Sequence, residues 1–201
     1  MARFGIRRVK AYGVAAPAIE SIAREVRHNP EMAATLWSTG ILEARCVATL
    51  IADPLAILED EVERWVHDFD CWAVCDSACL KLLWKTPFAW RKVREWSSRE
   101  PEYERRAAFA LLAALAVHDK QATNTQFRSA LKLVVKAADD DRNFVKKAVN
   151  WALRQTGKRN AALHQAAIEV AERLADSQSR SARWIGHDAL PELRQKMPLT
   201  P

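Results

Sequence analysis

Glycine is scarce in this chain, with five in 201 residues, at positions 5, 13, 40, 157 and 186. No cluster of them makes a phosphate loop or a dinucleotide fingerprint, where glycine lets the backbone approach a phosphate closely. Nucleotide-dependent chemistry of those kinds is therefore excluded. No apolar run approaches the roughly 18 residues of a membrane span. The opening Met-Ala-Arg-Phe-Gly-Ile-Arg-Arg also lacks the continuous apolar core of a signal peptide. Cytoplasmic residence without membrane contact is the expectation. Alternating β-branched runs are missing too, so strands are not expected.

Cysteine is sparse. Cys71, Cys75 and Cys79 repeat every four residues on one helical face, and Cys46 stands apart. Zinc sites usually show tighter pairs with further ligands elsewhere in the chain, and nothing downstream supplies them. The four are read as small, reduced core residues.

What is present is apolar, charged and helical. Hydrophobic residues make up 49% and charged residues 28%, a balance that favours a folded chain over a disordered one. The net charge of +6 favours an anionic partner, nucleic acid ahead of membrane. Alanine- and leucine-rich segments follow one another between short turns. Asn29-Pro30, Asp53-Pro54, Thr86-Pro87 and Glu100-Pro101 put proline at or near the first helical position, three of them behind a good capping residue. Gly40 and Gly157 fall where helices would end. The pattern predicts helices near 18–28, 30–38, 41–52, 55–67, 70–84, 87–97, 102–117, 123–137, 142–157, 160–175 and 181–195.

The helices repeat. The segments beginning at Glu43, Glu104 and Phe144 each run from a polar turn through a basic residue into small and large apolar residues at helical spacing. Aligning Arg45, Asp76, Arg106, Lys147 and Asp188 gives steps of 31, 30, 41 and 41 residues. A period of about 30–45 with two helices per unit marks a solenoid of the HEAT kind. The expected fold is all-α, an α-solenoid of stacked HEAT-like helix pairs with a concave basic groove, forming a single domain over 1–201. A compact helical bundle is the alternative.

Two helices carry the chemistry. In Asp70-Cys-Trp-Ala-Val-Cys-Asp76, Trp72 and Asp76 lie four residues apart and share one face. A carboxylate among Val74, Cys75, Ala78, Cys79 and Leu80 is costly unless it faces a cleft or pairs with a base such as Arg106; both readings stand. In the helix from Phe144 to Lys158, Lys147, Trp151, Arg154 and Lys158 recur at i, i+4, i+7 and i+11, three cations around an indole. Such a stripe suits phosphate and sugar, although a solvated basic face would look similar. Asp139-Asp-Asp141 is read as a cap for the following helix rather than a cation site. Histidines 28, 67, 118, 164 and 187 are scattered and do not suggest a triad.

These residues also carry a resemblance. Leu36 to Arg45, Phe69 to Asp76, Tyr103 to Phe109 and the Phe144 to Arg159 helix resemble the DNA alkylation repair family of AlkD-like HEAT-repeat DNA glycosylases, and the likeness runs from Phe4 to about Leu193. The family's Trp-x-x-x-Asp spacing falls on Trp72 and Asp76, its arginine on Arg106, and its second tryptophan on Trp151. Two departures stand out. Ala73 replaces the acidic residue that often follows the tryptophan, and the N-terminal region is short, so the first repeat is expected to be truncated.

The resemblance implies hydrolysis of the N-glycosidic bond of cationic alkylated purines, such as 3-methyladenine and 7-methylguanine, in duplex DNA and without a base-extrusion pocket. Asp76 would stabilise the positive charge developing on the sugar and position water, with Trp72 and Trp151 packed on deoxyribose and backbone. Arg106 would hold a flanking phosphate, and Lys147, Arg154 and Lys158 the DNA backbone. The partner expected is duplex DNA containing alkylated bases, bound by a monomer with no metal or other cofactor. The rival is a non-catalytic HEAT-repeat module that binds DNA, including branched structures, or a protein partner. It would keep the basic stripe but not need Asp76.

Overall fold

The computed structural model describes residue 6 and residues 10–26 and 28–195. The described residues hold eleven α-helices and no strand; Lys10 and Ile41 make an isolated bridge. They are α1 (Ala16–Glu25), α2 (Pro30–Ser38), α3 (Leu42–Ile51), α4 (Glu59–His67), α5 (Trp72–Ser77), α6 (Ala89–Trp96), α7 (Glu102–His118), α8 (Asn124–Ala137), α9 (Asn143–Gly157), α10 (Ala161–Ala175) and α11 (Arg180–Gln195). The chain forms two compact units, Met1–Ala89 and Trp90–Pro201.

Local chemistry sets several helix ends. Asn29 caps α2 by accepting from the Met32 N–H at 3.0 Å, with Pro30 at the first helical position, where no N–H is needed. Thr123 and Gln126 form a reciprocal capping box at the start of α8. Gly40 ends the α2 turn with φ +67, a left-handed conformation that side chains resist.

Three expectations are corrected. The helix expected from 55 begins instead at Glu59, because Asp53 closes a separate turn: its side chain accepts from the Leu55 N–H and its carbonyl from Ala56 and Ile57. The helix expected over 70–84 is α-helical only to Ser77. It then widens into a π-turn over Ala78–Leu82, with the Leu83 N–H reaching the Ala78 carbonyl, and tightens into a 3₁₀ turn over Leu83–Lys85. The triplet Asp139-Asp-Asp141 does not cap α9, whose N-cap is Arg142 with no side-chain cap hydrogen bond. The Asp140 carboxylate accepts instead from Arg105 at 2.9 Å, from the Arg142 guanidinium at 2.6 Å and from the Arg142 backbone N–H at 3.1 Å.

In the first unit, Trp37 of α2 stacks on Trp65 of α4 with ring centroids 4.1 Å apart and planes 3° from parallel. The Trp37 indole N–H donates to Asp68, and Arg45 of α3 lies over the Trp37 ring while donating to the Asp68 carbonyl. Below, α3 and α5 run side by side, joined by a 2.7 Å hydrogen bond between the Thr49 and Ser77 hydroxyls. The Glu43 carboxylate, 5% exposed, accepts from the backbone N–H groups of Tyr12, Gly13 and Val14 and pins the segment before α1.

In the second unit α9 runs parallel to both α7 and α11, their side-chain contacts keeping near-constant sequence offsets. Tyr103 meets Phe144 at one end of the α7–α9 pair, and Arg159 donates to the Ala116 carbonyl at the other. α7 is buried along nearly its whole length, from Arg106 to Ala116. A helix apolar on every side belongs at the centre of a stack, and its alanines let neighbours approach closely. Helices α10 and α11 approach closely at Gly186, where a Cβ would lie 2.3 Å from the Ala175 nitrogen.

Candidate functional site

Trp72 is the first residue of α5 and Asp76 lies one turn on. Both are half-buried, whereas Val74 and Cys75 between them are fully buried. The expected shared face is therefore present. It is the face that α5 keeps out of the core, immediately before the π-turn. The cysteines of this region line the core: Cys71, Cys75 and Cys79 have no exposure. Burial pushes the Cys46 and Cys71 thiols up to about 11, so both are protonated at neutral pH.

In the second unit the α9 stripe has the face the spacing predicted. Lys147 is exposed and Trp151, Arg154 and Lys158 are half-buried, while Val145, Ala148, Val149, Ala152 and Leu153 are buried. The three cations are not equivalent. Lys147 makes no ion pair with the described residues, but Arg154 and Lys158 both bind the carboxylate of Glu192 on α11. The Lys158 hydrogen bond leads in holding Glu192 at about 2, against an opposing penalty from burial, with Arg154 assisting. Sequence reasoning missed Glu192. The structure supplies the register: Asn150 donates to Asp188 across 38 residues, and Arg154 to Glu192 across the same 38, one turn further along both helices.

Arg106 sits at the start of α7 as expected, but only 6% exposed. Its Nη1 donates to the Phe144 carbonyl at 2.7 Å, in the first turn of α9. It is a buried link between neighbouring parallel helices. Asn150 is likewise buried on α9, donating to the Ile185 carbonyl and to Asp188.

The first unit offers a half-buried indole–carboxylate pair on α5; the second, by itself, offers on α9 an indole among cations of which one is exposed and two share an internal carboxylate. The first suits a cationic or charge-developing centre. The second suits a phosphodiester backbone.

Comparison with known proteins bears on this reading. No curated protein sequence matches the chain. A solved structure described as a new family of proteins related to the HEAT-like repeat DNA glycosylases, with affinity for branched DNA structures, superposes with a TM-score of 0.75 at 21% identity. It covers 94% of this chain and 85% of its own, and it establishes the HEAT-like helical-repeat solenoid as the fold. A designed armadillo repeat protein also aligns, at a TM-score of 0.40 and 16% identity over 88% of this chain and 92% of its own. Residues 1–193 match the family described as DNA alkylation repair enzyme. That match spans nearly the whole sequence, and the chain belongs to the DNA alkylation repair enzyme family.

Proposed function

We propose that this protein is a DNA glycosylase that hydrolyses the N-glycosidic bond of cationic alkylated purines in duplex DNA. The observation that carries the reading is the Trp72–Asp76 pair, one helical turn apart and half-buried together, in a member of a DNA alkylation repair enzyme family. Alkylation at a ring nitrogen makes the base a cation and a good leaving group, so departure needs no strong general acid. As the bond breaks, positive charge grows on the sugar. The Asp76 carboxylate stabilises that charge and positions the attacking water, and its half-burial strengthens the interaction over that in water. Trp72 and Trp151 supply flat surfaces for deoxyribose. Lys147, Arg154 and Lys158 hold phosphates. Arg106, buried against Phe144, acts on DNA by fixing the start of α9. Incubating the protein with duplex DNA carrying 7-methylguanine or 3-methyladenine tests this: release of free base is expected, and intact DNA after prolonged incubation would contradict it.

A second reading has its own support. Pairing Arg154 and Lys158 with Glu192 leaves the stripe less basic than its sequence suggests, and the structurally similar protein is described as having affinity for branched DNA. On that reading the chain binds branched DNA without cleaving a glycosidic bond. Binding of a four-way junction well above a matched duplex, with no base released, would favour it.

A further inference from the structure

Helices α9 and α11 meet along a ladder with a constant offset of 38 residues. Lys146 lies over the Trp184 ring at 4.9 Å, Asn150 donates to Asp188 at 3.0 Å, and Arg154 donates to Glu192. The last rung differs from the others in taking a second cation, Lys158. The two oxygens of Glu192 are divided between them, Oε2 on Arg154 and Oε1 on Lys158. The non-bridging oxygens of a phosphodiester would be divided in the same way. One carboxylate is also a poor match for so many donors: the Arg154 Nε is buried and has no hydrogen-bond partner among the described residues.

The seam does not depend on this rung for its packing. Ile185, Ala189 and Leu193 of α11 are fully buried, and Leu193 presses into the space left by the missing side chain of Gly157. Arg154, Lys158 and Glu192 are instead all partly open to solvent, with side chains 29%, 26% and 21% exposed. An anion arriving from solvent can reach them.

We propose that Arg154 and Lys158 form an oxyanion site for a DNA phosphodiester and that Glu192 fills this site in the free protein as an internal stand-in for the phosphate. The inference rests on the reading of the α9 face as a DNA surface. A phosphate then reaches these cations only by displacing Glu192, which lowers affinity for any DNA that cannot engage both. With its carboxyl held at about 2, Glu192 stays ionised at every physiological pH, so exchange comes from competition rather than protonation.

The test is binding of a matched duplex of unmodified DNA, followed by fluorescence anisotropy between 50 and 200 mM salt, a range of about 10³–10⁵ in affinity for proteins with many phosphate contacts. Glu192→Gln is nearly isosteric and keeps one acceptor oxygen. It should bind several-fold more tightly at low salt, with a salt slope steeper by up to about 2, since each phosphate contact contributes roughly 0.9. The gain should vanish when Glu192→Gln is made in an Arg154→Ala, Lys158→Ala background. Wild-type affinity and slope in Glu192→Gln would overturn the proposal. So would an equal gain in that background, which would mark only the loss of a distant negative charge. Should Glu192→Gln fail to fold, Glu192→Asp keeps the charge with a shorter reach: a smaller gain in the same direction is expected, and no gain would overturn the proposal. Lys147→Ala separates the two layers of argument. If it weakens binding while Glu192→Gln changes nothing, the DNA surface stands and the stand-in role falls. If neither changes binding, both fall.

Discussion

Arg106 and Phe144 are joined by a 2.7 Å hydrogen bond from guanidinium to backbone carbonyl, across 38 residues of sequence and between two parallel helices. A hydrogen bond from a charged donor is worth more than one from a neutral donor, about 1.5–3 kcal/mol. Arg106→Ala should therefore lower unfolding stability by roughly that amount, read from the urea midpoint. A midpoint equal to wild type would contradict the placement of Arg106 as a buried link.

Lys147 is the exposed cation of the α9 stripe and makes no ion pair with the described residues. Lys147→Ala should weaken duplex binding about equally for all sequences and reduce the salt slope by about 0.9. An unchanged slope would place the DNA surface elsewhere. Adding Arg154→Ala should weaken binding further.

Gly186 permits the close crossing of α10 and α11, since a Cβ there would meet the Ala175 nitrogen at 2.3 Å and the Ala171 carbonyl oxygen at 2.5 Å. Alanine is the better helix former by about 0.8–1 kcal/mol, but the obstructing atoms are backbone and cannot turn aside. Overpacking, typically 1–3 kcal/mol, should win. Gly186→Ala is expected to lower the melting temperature, and an equal or higher one would contradict the close crossing.

Acid should weaken the fold through carboxylates whose pKa the fold lowers, Glu43 and Glu192 among them. Glu43 is subject to burial, which raises its pKa, but the N–H groups of Tyr12, Gly13 and Val14 prevail and hold it below the ordinary 4.5. Glu192 is held at about 2. A carboxyl whose folded pKa is depressed binds protons more readily in the unfolded chain, so its contribution is complete above the unfolded value and lost as pH falls through the folded one. Stability should hold down to about pH 4.5 and fall between there and about 2. Glu192→Gln should make that decline shallower in urea titrations, and an identical pH profile would contradict the ion-pair assignment.

Helix signals in the sequence are strongest where the reason is local. Asn29-Pro30 marks a start that the structure keeps, and α7, α9 and α10 begin and end within a residue of expectation. The expectation failed where side chains beyond the local pattern decide. Asp53 looks like a helix cap but closes its own turn, and the alanine–cysteine run after Asp76 carries no mark of the π-turn over Ala78–Leu82. The α9 stripe was legible from periodicity. Its partner was not: Glu192 lies 38 residues from Arg154, and hydrophobic spacing says nothing about which acid a cation will find. Periodicity puts Arg106 at the start of α7, but its burial depends on the neighbouring helix, which the local sequence does not show.

Asp76 bears the central claim. Replacing it with asparagine keeps its shape and removes its charge, so duplex binding should hold or strengthen. Release of 7-methylguanine from duplex DNA should fall by about 10²-fold or more, as when a transition-state charge loses its counter-ion. The decisive measurement compares single-turnover base release by wild type and Asp76→Asn, with both proteins saturated with DNA and their melting temperatures recorded alongside. The account predicts lost excision in a stably folded, DNA-bound variant; full excision by that variant would contradict it.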